Sequence, residues 1–179
     1  MVIRSFMIRT ITAPMTFLII IISFLAISCT GIPKQSELSC DGQENIVRID
    51  TERHRLLLCQ SGNSVREFSV AIGRGGRDKQ KNKDNRTPLG KYDLDFPRPS
   101  TDGFYLFIPV GYPTTSQREQ GFTGGDIGIH GPPREWKWLG SMTTWKDWTR
   151  GCIAVGTDTE IEDIAKWVNE FRVKKVSIQ

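Results

Sequence analysis

Thr149-Arg150-Gly151-Cys152-Ile153-Ala154-Val155 is the stretch on which the reading of this chain turns. Strand alternation puts Ile153 and Val155 on one face and Cys152, with Ala154, on the other. A second stretch, Ile127-Gly128-Ile129-His130-Gly131, divides the same way. Ile127 and Ile129 share a face, and His130 lies with Gly128 on the opposite one. Each strand can bury its aliphatics and present a thiol or an imidazole on its other side. Gly128 and Ala154 are small, so that side is expected to leave room for a substrate.

The chemistry needs this pairing. A free thiol has a pKa of about 8.5 and is a poor nucleophile until deprotonated. A nearby imidazole can take the proton, and the imidazolium then stabilises the thiolate. The chain holds two histidines, so candidates for the base are few. His54 sits between Arg53 and Arg55 and reads as a surface residue. Gly151 allows another segment close to the thiol. The backbone N–H of Cys152, with that of Gly151, is a candidate oxyanion donor.

Outward from these segments the pattern is that of a mainly β domain. Ile46–Ile49, Arg55–Gln60 and Ser64–Ile72 read as successive strands, with Ser61-Gly62-Asn63 turning between the second and third. Gly73-Arg74-Gly75-Gly76 reads as a turn, since no P-loop Lys-Ser/Thr follows it. Lys79 to Arg86 reads as a solvated charged loop. Thr87-Pro88-Leu89-Gly90 turns into a strand over Lys91–Leu94, and Phe104–Pro109 and Asp126–His130 follow as strands. Residues 132–149 form a long connection with Trp136, Trp138, Trp145 and Trp148, four of the five tryptophans. Packing is the expectation for Trp136 and Trp138, and contact with a substrate for Trp148. Asp158 is the expected cap of a helix over about Thr159–Phe171, and Arg172–Ile178 closes as a strand.

The 179 residues suffice for one domain, and a composition 38% hydrophobic and 25% charged is that of a globular protein. Residues 1–28 stand apart: Arg4 and Arg9, no acid, then an apolar run from Met15 to Ile27. They read as an export signal, with an uncleaved membrane anchor as the alternative. Ala26-Ile27-Ser28-Cys29 resembles a lipobox, which makes Cys29 the candidate lipidation site. Residues 29–45 read as a tether and 46–179 as the catalytic domain. The expected address is the periplasm or cell envelope, anchored by lipid, at the outer membrane if the cell is Gram-negative. Without residues 1–28 there are 22 basic residues (24 less Arg4 and Arg9) against 20 acidic, a net +2, too small a basic excess for a nucleic-acid partner. In an oxidising compartment Cys40 and Cys59 are candidates for a disulfide, leaving Cys152 as the odd thiol. No metal site and no cofactor are indicated, and the oligomeric state stays open.

These residues resemble the catalytic domain of the L,D-transpeptidases, the YkuD-like family. His130-Gly131 matches the family's first element, and Thr149-Arg150-Gly151-Cys152 its Ser/Thr-His-Gly-Cys. Val70-Ala71-Ile72-Gly73 and Thr87-Pro88-Leu89-Gly90-Lys91-Tyr92 are similar to its early strand and turn. The resemblance implies a β-sandwich with one C-terminal helix and short helical or loop insertions. It implies a peptidoglycan stem peptide as substrate, attacked by Cys152 after the third residue of a tetrapeptide with loss of the terminal D-alanine. An amine then resolves the thioester. His130 would be the base, oriented by the Gly131 carbonyl, with Thr149 and Gly151 shaping the loop around the thiol. Arg150 departs from the pattern by replacing a His. It cannot exchange a proton but can support the thiolate or grip a substrate carboxylate in a fork. Ala154 stands where a polar residue is common, and Asp147–Val155 fits an Asp-Trp-Thr-x-Gly-Cys-Ile-Ala-Val subgroup. Hydrolysis of the thioester by water, or wall binding without catalysis, are the alternative functions.

Overall fold

Nine strands are described, in a computed structural model that covers Cys40 and residues 42–179. The export signal, Cys29 and most of the 29–45 tether lie outside the described residues. The strands are β1 Ile46–Asp50, β2 Arg55–Gln60, β3 Asn63–Ala71, β4 Gly90–Asp93, β5 Arg98–Pro99, β6 Leu106–Pro109, β7 Gly128–His130, β8 Ile153–Val155 and β9 Lys175–Ile178. Two α-helices, α1 Thr115–Glu119 and α2 Asp158–Glu170, and a 3-10 helical segment, Arg134–Thr144, complete the elements.

The strands form one sheet in the order β4-β9-β1-β2-β3-β8-β7-β6-β5. β3 is the hinge of that sheet. Its residues up to Ser69 pair with β2, whereas Val70 and Ala71 pair with β8, so the sheet changes partner along one strand and curls. The result is the mainly β fold that the alternation implies. Alternating aliphatics fill the core: Val47, Ile49, Leu56, Leu58, Ile129 and Ile153 are fully buried. Each such side chain contributes roughly 1.5–3 kcal/mol by leaving water. α2 closes the core with Ile161, Ile164 and Val168 and lies against β6 and β8. A smaller cluster joins Ile46 and Leu57 to the Cys40–Cys59 disulfide, which fastens the chain to the domain ahead of β1.

Several local expectations are corrected. The cap of α2 is Thr157, not Asp158: Thr157 Oγ1 accepts from the Glu160 N–H, and the Glu160 carboxylate accepts from the Thr157 N–H. That capping box satisfies two orphan donors, which an Asp158 cap would not. α1 has five residues and buries none of them, so it carries no apolar period to read. The last strand starts at Lys175 rather than Arg172, because Arg172 adopts a positive φ of 48° just after α2. Trp138 is 79% exposed, so packing is not its role. Lys79 is buried at 4%, so the 79–86 loop is not simply a solvated face.

Candidate active site

Parallel pairing of β7 with β8 brings the two sequence motifs together. Ile129 pairs with Ile153 and His130 with Ala154. Paired residues share a face, so Cys152, two positions before Ala154, falls on the His130 side of the sheet. Both line one cleft of about 700 Å³.

His130 is held from three sides. It is 1% exposed, with β6 pairing on one side of β7 and β8 on the other. The Phe104 ring stacks on its imidazole with centroids 3.7 Å apart, and Trp148 meets it edge-on at 5.7 Å. Nδ1 lies 2.6 Å from the Gly131 carbonyl oxygen. A carbonyl only accepts, so Nδ1 donates, and the neutral ring carries its lone pair on Nε2. Burial pushes the imidazole pKa down to about 4, although the Gly131 carbonyl and the Asp102 charge favour the protonated form. At neutral pH the ring is uncharged.

Cys152 is a free, partly exposed thiol just ahead of β8. It donates to the Asp126 carbonyl, 3.4 Å from Sγ, and no hydrogen bond joins it to His130 among the described contacts. Burial pushes its pKa up to about 11, against a hydrogen bond from the Gly128 backbone and the positive field of Arg150. The resting pair is therefore neutral thiol and neutral imidazole. In this conformation the thiol proton points to the Asp126 carbonyl and not to Nε2.

The loop that carries Cys152 is tied by side chains. Thr149 Oγ1 donates to the Cys152 carbonyl at 2.7 Å and accepts from the Gly151 N–H at 3.1 Å. That second bond corrects one expectation: the Gly151 N–H is occupied and is not an oxyanion donor in this conformation. Gly151 has φ 128°, and a Cβ there would lie 2.6 Å from the Arg86 carbonyl oxygen. The position therefore requires glycine for both space and backbone angle. Thr87, wholly buried, donates to the Gly151 carbonyl and accepts from the Gly73 N–H. Asp147 accepts from the Ile72 N–H and pairs with His54 Nε2 at 3.0 Å. His54 is thus a partner of the loop rather than a bare surface residue.

The sequence reading missed several site residues. Phe107 pairs with His130 across β6 and β7, and its ring fills the space above Gly128, where a Cβ would sit 2.3 Å from it. The space that Gly128 was expected to leave for substrate is taken by Phe107; glycine inside a strand was the available signal of close approach. Arg74, Lys83 and Arg150 also line the cleft. Lys79, another lining residue, donates from Nζ to Asp84 at 2.7 Å, while Asp84 also accepts from the backbone N–H groups of Gln80, Lys81 and Arg86. Those bonds hold the Asp84 carboxyl well below the usual range despite its partial burial. No period or motif marks that hub. Trp148 lines the cleft, and its Nε1–H donates to the Thr143 carbonyl. Among the described residues no group of three or more His, Cys, Asp or Glu is placed to hold a metal ion.

Fold and cleft define a mainly β domain in which a free thiol and an imidazole of fixed tautomer share one cavity. The chain belongs to the YkuD family: the model of the L,D-transpeptidase catalytic domain matches residues 44–178. No curated protein matches the chain. Among solved structures it is similar to the helical cell shape determining protein Pgp2 of Campylobacter jejuni, with 26% identity and a TM-score of 0.62 over 78% of this chain and 48% of that one. Bdellovibrio bacteriovorus Bd1075 shares the fold at 18% identity and a TM-score of 0.53, covering 77% of this chain and 47% of that one. An Enterococcus faecium L,D-transpeptidase variant shares it at 13% identity and a TM-score of 0.50, covering 77% and 50%. The chain spans about half the length of these proteins.

Proposed function

We propose that the chain is a peptidoglycan L,D-transpeptidase that uses Cys152 as nucleophile and His130 as base. One observation carries the reading: the Nδ1 bond to Gly131 leaves the imidazole lone pair on Nε2, in the cleft that holds the only free cysteine among the described residues. Nε2 takes the thiol proton as Sγ attacks the carbonyl of the third residue of a tetrapeptide stem. The Gly128 N–H and the Arg150 charge stabilise the thiolate. The tetrahedral oxyanion collapses, the imidazolium returns its proton to the departing D-alanine amine, and a thioester remains. An acceptor amine then attacks the thioester. Nε2 takes the proton of that amine, and the leaving sulfur is reprotonated from the imidazolium. Arg150 grips a donor carboxylate, and Trp148 covers the cleft beside the reacting bond. Residues 1–28 direct export, and lipidated Cys29 anchors the enzyme at the cell envelope. The likeness to Pgp2 supports cell shape as the setting.

The test is intact mass spectrometry of the full chain after incubation with a carbapenem, alongside muropeptide analysis. A single adduct that disappears in Cys152→Ala, with loss of cross-linked muropeptides, is the expected result. Full turnover of a tetrapeptide by Cys152→Ala sinks the nucleophile assignment. Trimmed stems without dimers make the enzyme a hydrolase of the same thioester.

A further inference from the structure

Trp138 and Trp145 are 79% and 80% exposed, the barest large apolar side chains described. Burial explains neither. Trp138 stands in the first turns of the 3-10 segment Arg134–Thr144, and Trp145 caps the turns that follow its break at Gly140, where φ is 55°. The segment is anchored. Thr143 donates to the carbonyls of Gly140 and Gly156, the Arg134 N–H donates to the Gly103 carbonyl, and Lys137 pairs with Asp158. Each indole therefore stands on a stretch tied to the domain, Trp138 before Gly140 and Trp145 after it. Aromatic contact runs from that support into the cleft: Trp136 meets Trp148 at 5.1 Å, and Trp148 meets His130 at 5.7 Å.

We infer that Trp138 and Trp145 form a saccharide platform, stacking on pyranose rings of the glycan strand from which the stem peptide hangs. The inference rests on the proposed function, because a stem in the cleft places its own glycan within a few residues' length of Cys152. The surface chemistry fits a sugar. A pyranose has an apolar face of C–H groups and a polar edge of hydroxyl and amide groups. Here exposed Ser141 and Lys146 stand beside the indoles and suit that edge, while Trp136 and Met142 add apolar surface on the same stretch. Exposed Trp also suits such a role because it offers a large rigid face at low entropic cost.

The test compares full-chain Cys152→Ala with the same chain carrying Trp138→Ala and Trp145→Ala. The ligands are stem-free glycan strands, made by amidase digestion of sacculi, and phosphatidylethanolamine–phosphatidylglycerol vesicles. The platform predicts glycan binding at least tenfold weaker in the double variant, with vesicle binding unchanged. With Cys152 intact, the double variant should raise KM for sacculi about tenfold and leave turnover of a free tetrapeptide as it was. Equal glycan binding by both chains, no binding by the parent, or a loss confined to vesicles overturns the inference. Failure of the native chain to turn over tetrapeptide would instead remove the catalytic reading, while the glycan measurement still decides this one.

Discussion

His130 and Cys152 reach the same cleft by different means. The histidine is placed by regular structure: β6 and β8 flank its strand, and the adjoining Gly131 carbonyl fixes its tautomer. The cysteine is placed by a loop whose shape rests on side chains bonding to backbone, through Asp147, Thr149 and Thr87. One partner thus depends on the sheet, and the other on a few polar atoms that a single substitution can remove. Damage to the two sides should therefore look different. On the strand side chemistry falls while the fold persists; on the loop side stability and chemistry fall together.

The largest effect tests the strand side. His130→Gln keeps a similar volume and a polar amide but removes the imidazole. General base catalysis contributes about 10²–10⁴, or roughly 3–5.5 kcal/mol of barrier. kcat should fall by about 10³ with the melting temperature nearly unchanged. Activity within tenfold of the parent would mean that His130 is not the base.

The next effect tests the loops. Asp84→Ala leaves the buried Lys79 ammonium without its carboxylate. Removing one partner of such a pair costs about 3–5 kcal/mol, read as a lower urea midpoint. Because its pKa is depressed in the fold, Asp84 contributes stability above the ordinary carboxylate range and loses it as pH falls. The variant should therefore show a flatter acid limb of stability than the parent. An unchanged midpoint would show that the basic side of the cleft is not organised by this hub.

The same contrast explains what could be read from the sequence. Ile127–Gly131 and Thr149–Val155 declared their faces through period two, because each strand has one buried side and a one-residue slip would expose it. Asp84 and Thr87 gave no such sign: their partners are backbone groups and, for Asp84, the Lys79 ammonium, all brought in by loops, and no period records those. Thr157 could have been read, since Thr157-Asp158-Thr159-Glu160 is a capping box in plain sequence. Trp138 could not, because an apolar side chain left in water breaks the rule by which aromatics are assigned to cores.

Smaller still, the protonation states test whether burial dominates both partners. With the thiol raised to about 11, thiolate is scarce at neutral pH. Iodoacetamide should modify Cys152 faster by about tenfold per pH unit, roughly 100-fold between pH 7 and 9. An inflection below 8.5 would reveal a resting ion pair and erase the difference between a strand-held base and a loop-held thiol. Thr149→Val sharpens the loop side: it removes two hydrogen bonds at constant shape and should cost about 1–3 kcal/mol. kcat should drop with it, because the Cys152 carbonyl and Gly151 N–H lose their common partner.

The smallest effect is the most discriminating. A Cβ built at Gly131 would lie 3.2 Å from Asp158 Oδ1 and 3.4 Å from the Thr157 carbonyl oxygen, so the start of α2 packs on the peptide that orients the base. Thr157→Ala breaks the capping box at a cost of about 1 kcal/mol. If α2 only closes the core, that loss should appear in the urea midpoint and leave kcat untouched. If the helix start also presses Gly131 against the imidazole, kcat should fall several-fold in protein that is still fully folded, while KM for a free tetrapeptide holds. The second outcome is expected here, because the 2.6 Å Nδ1 bond depends on the position of that one carbonyl. A normal kcat would return the positioning of His130 entirely to the strands.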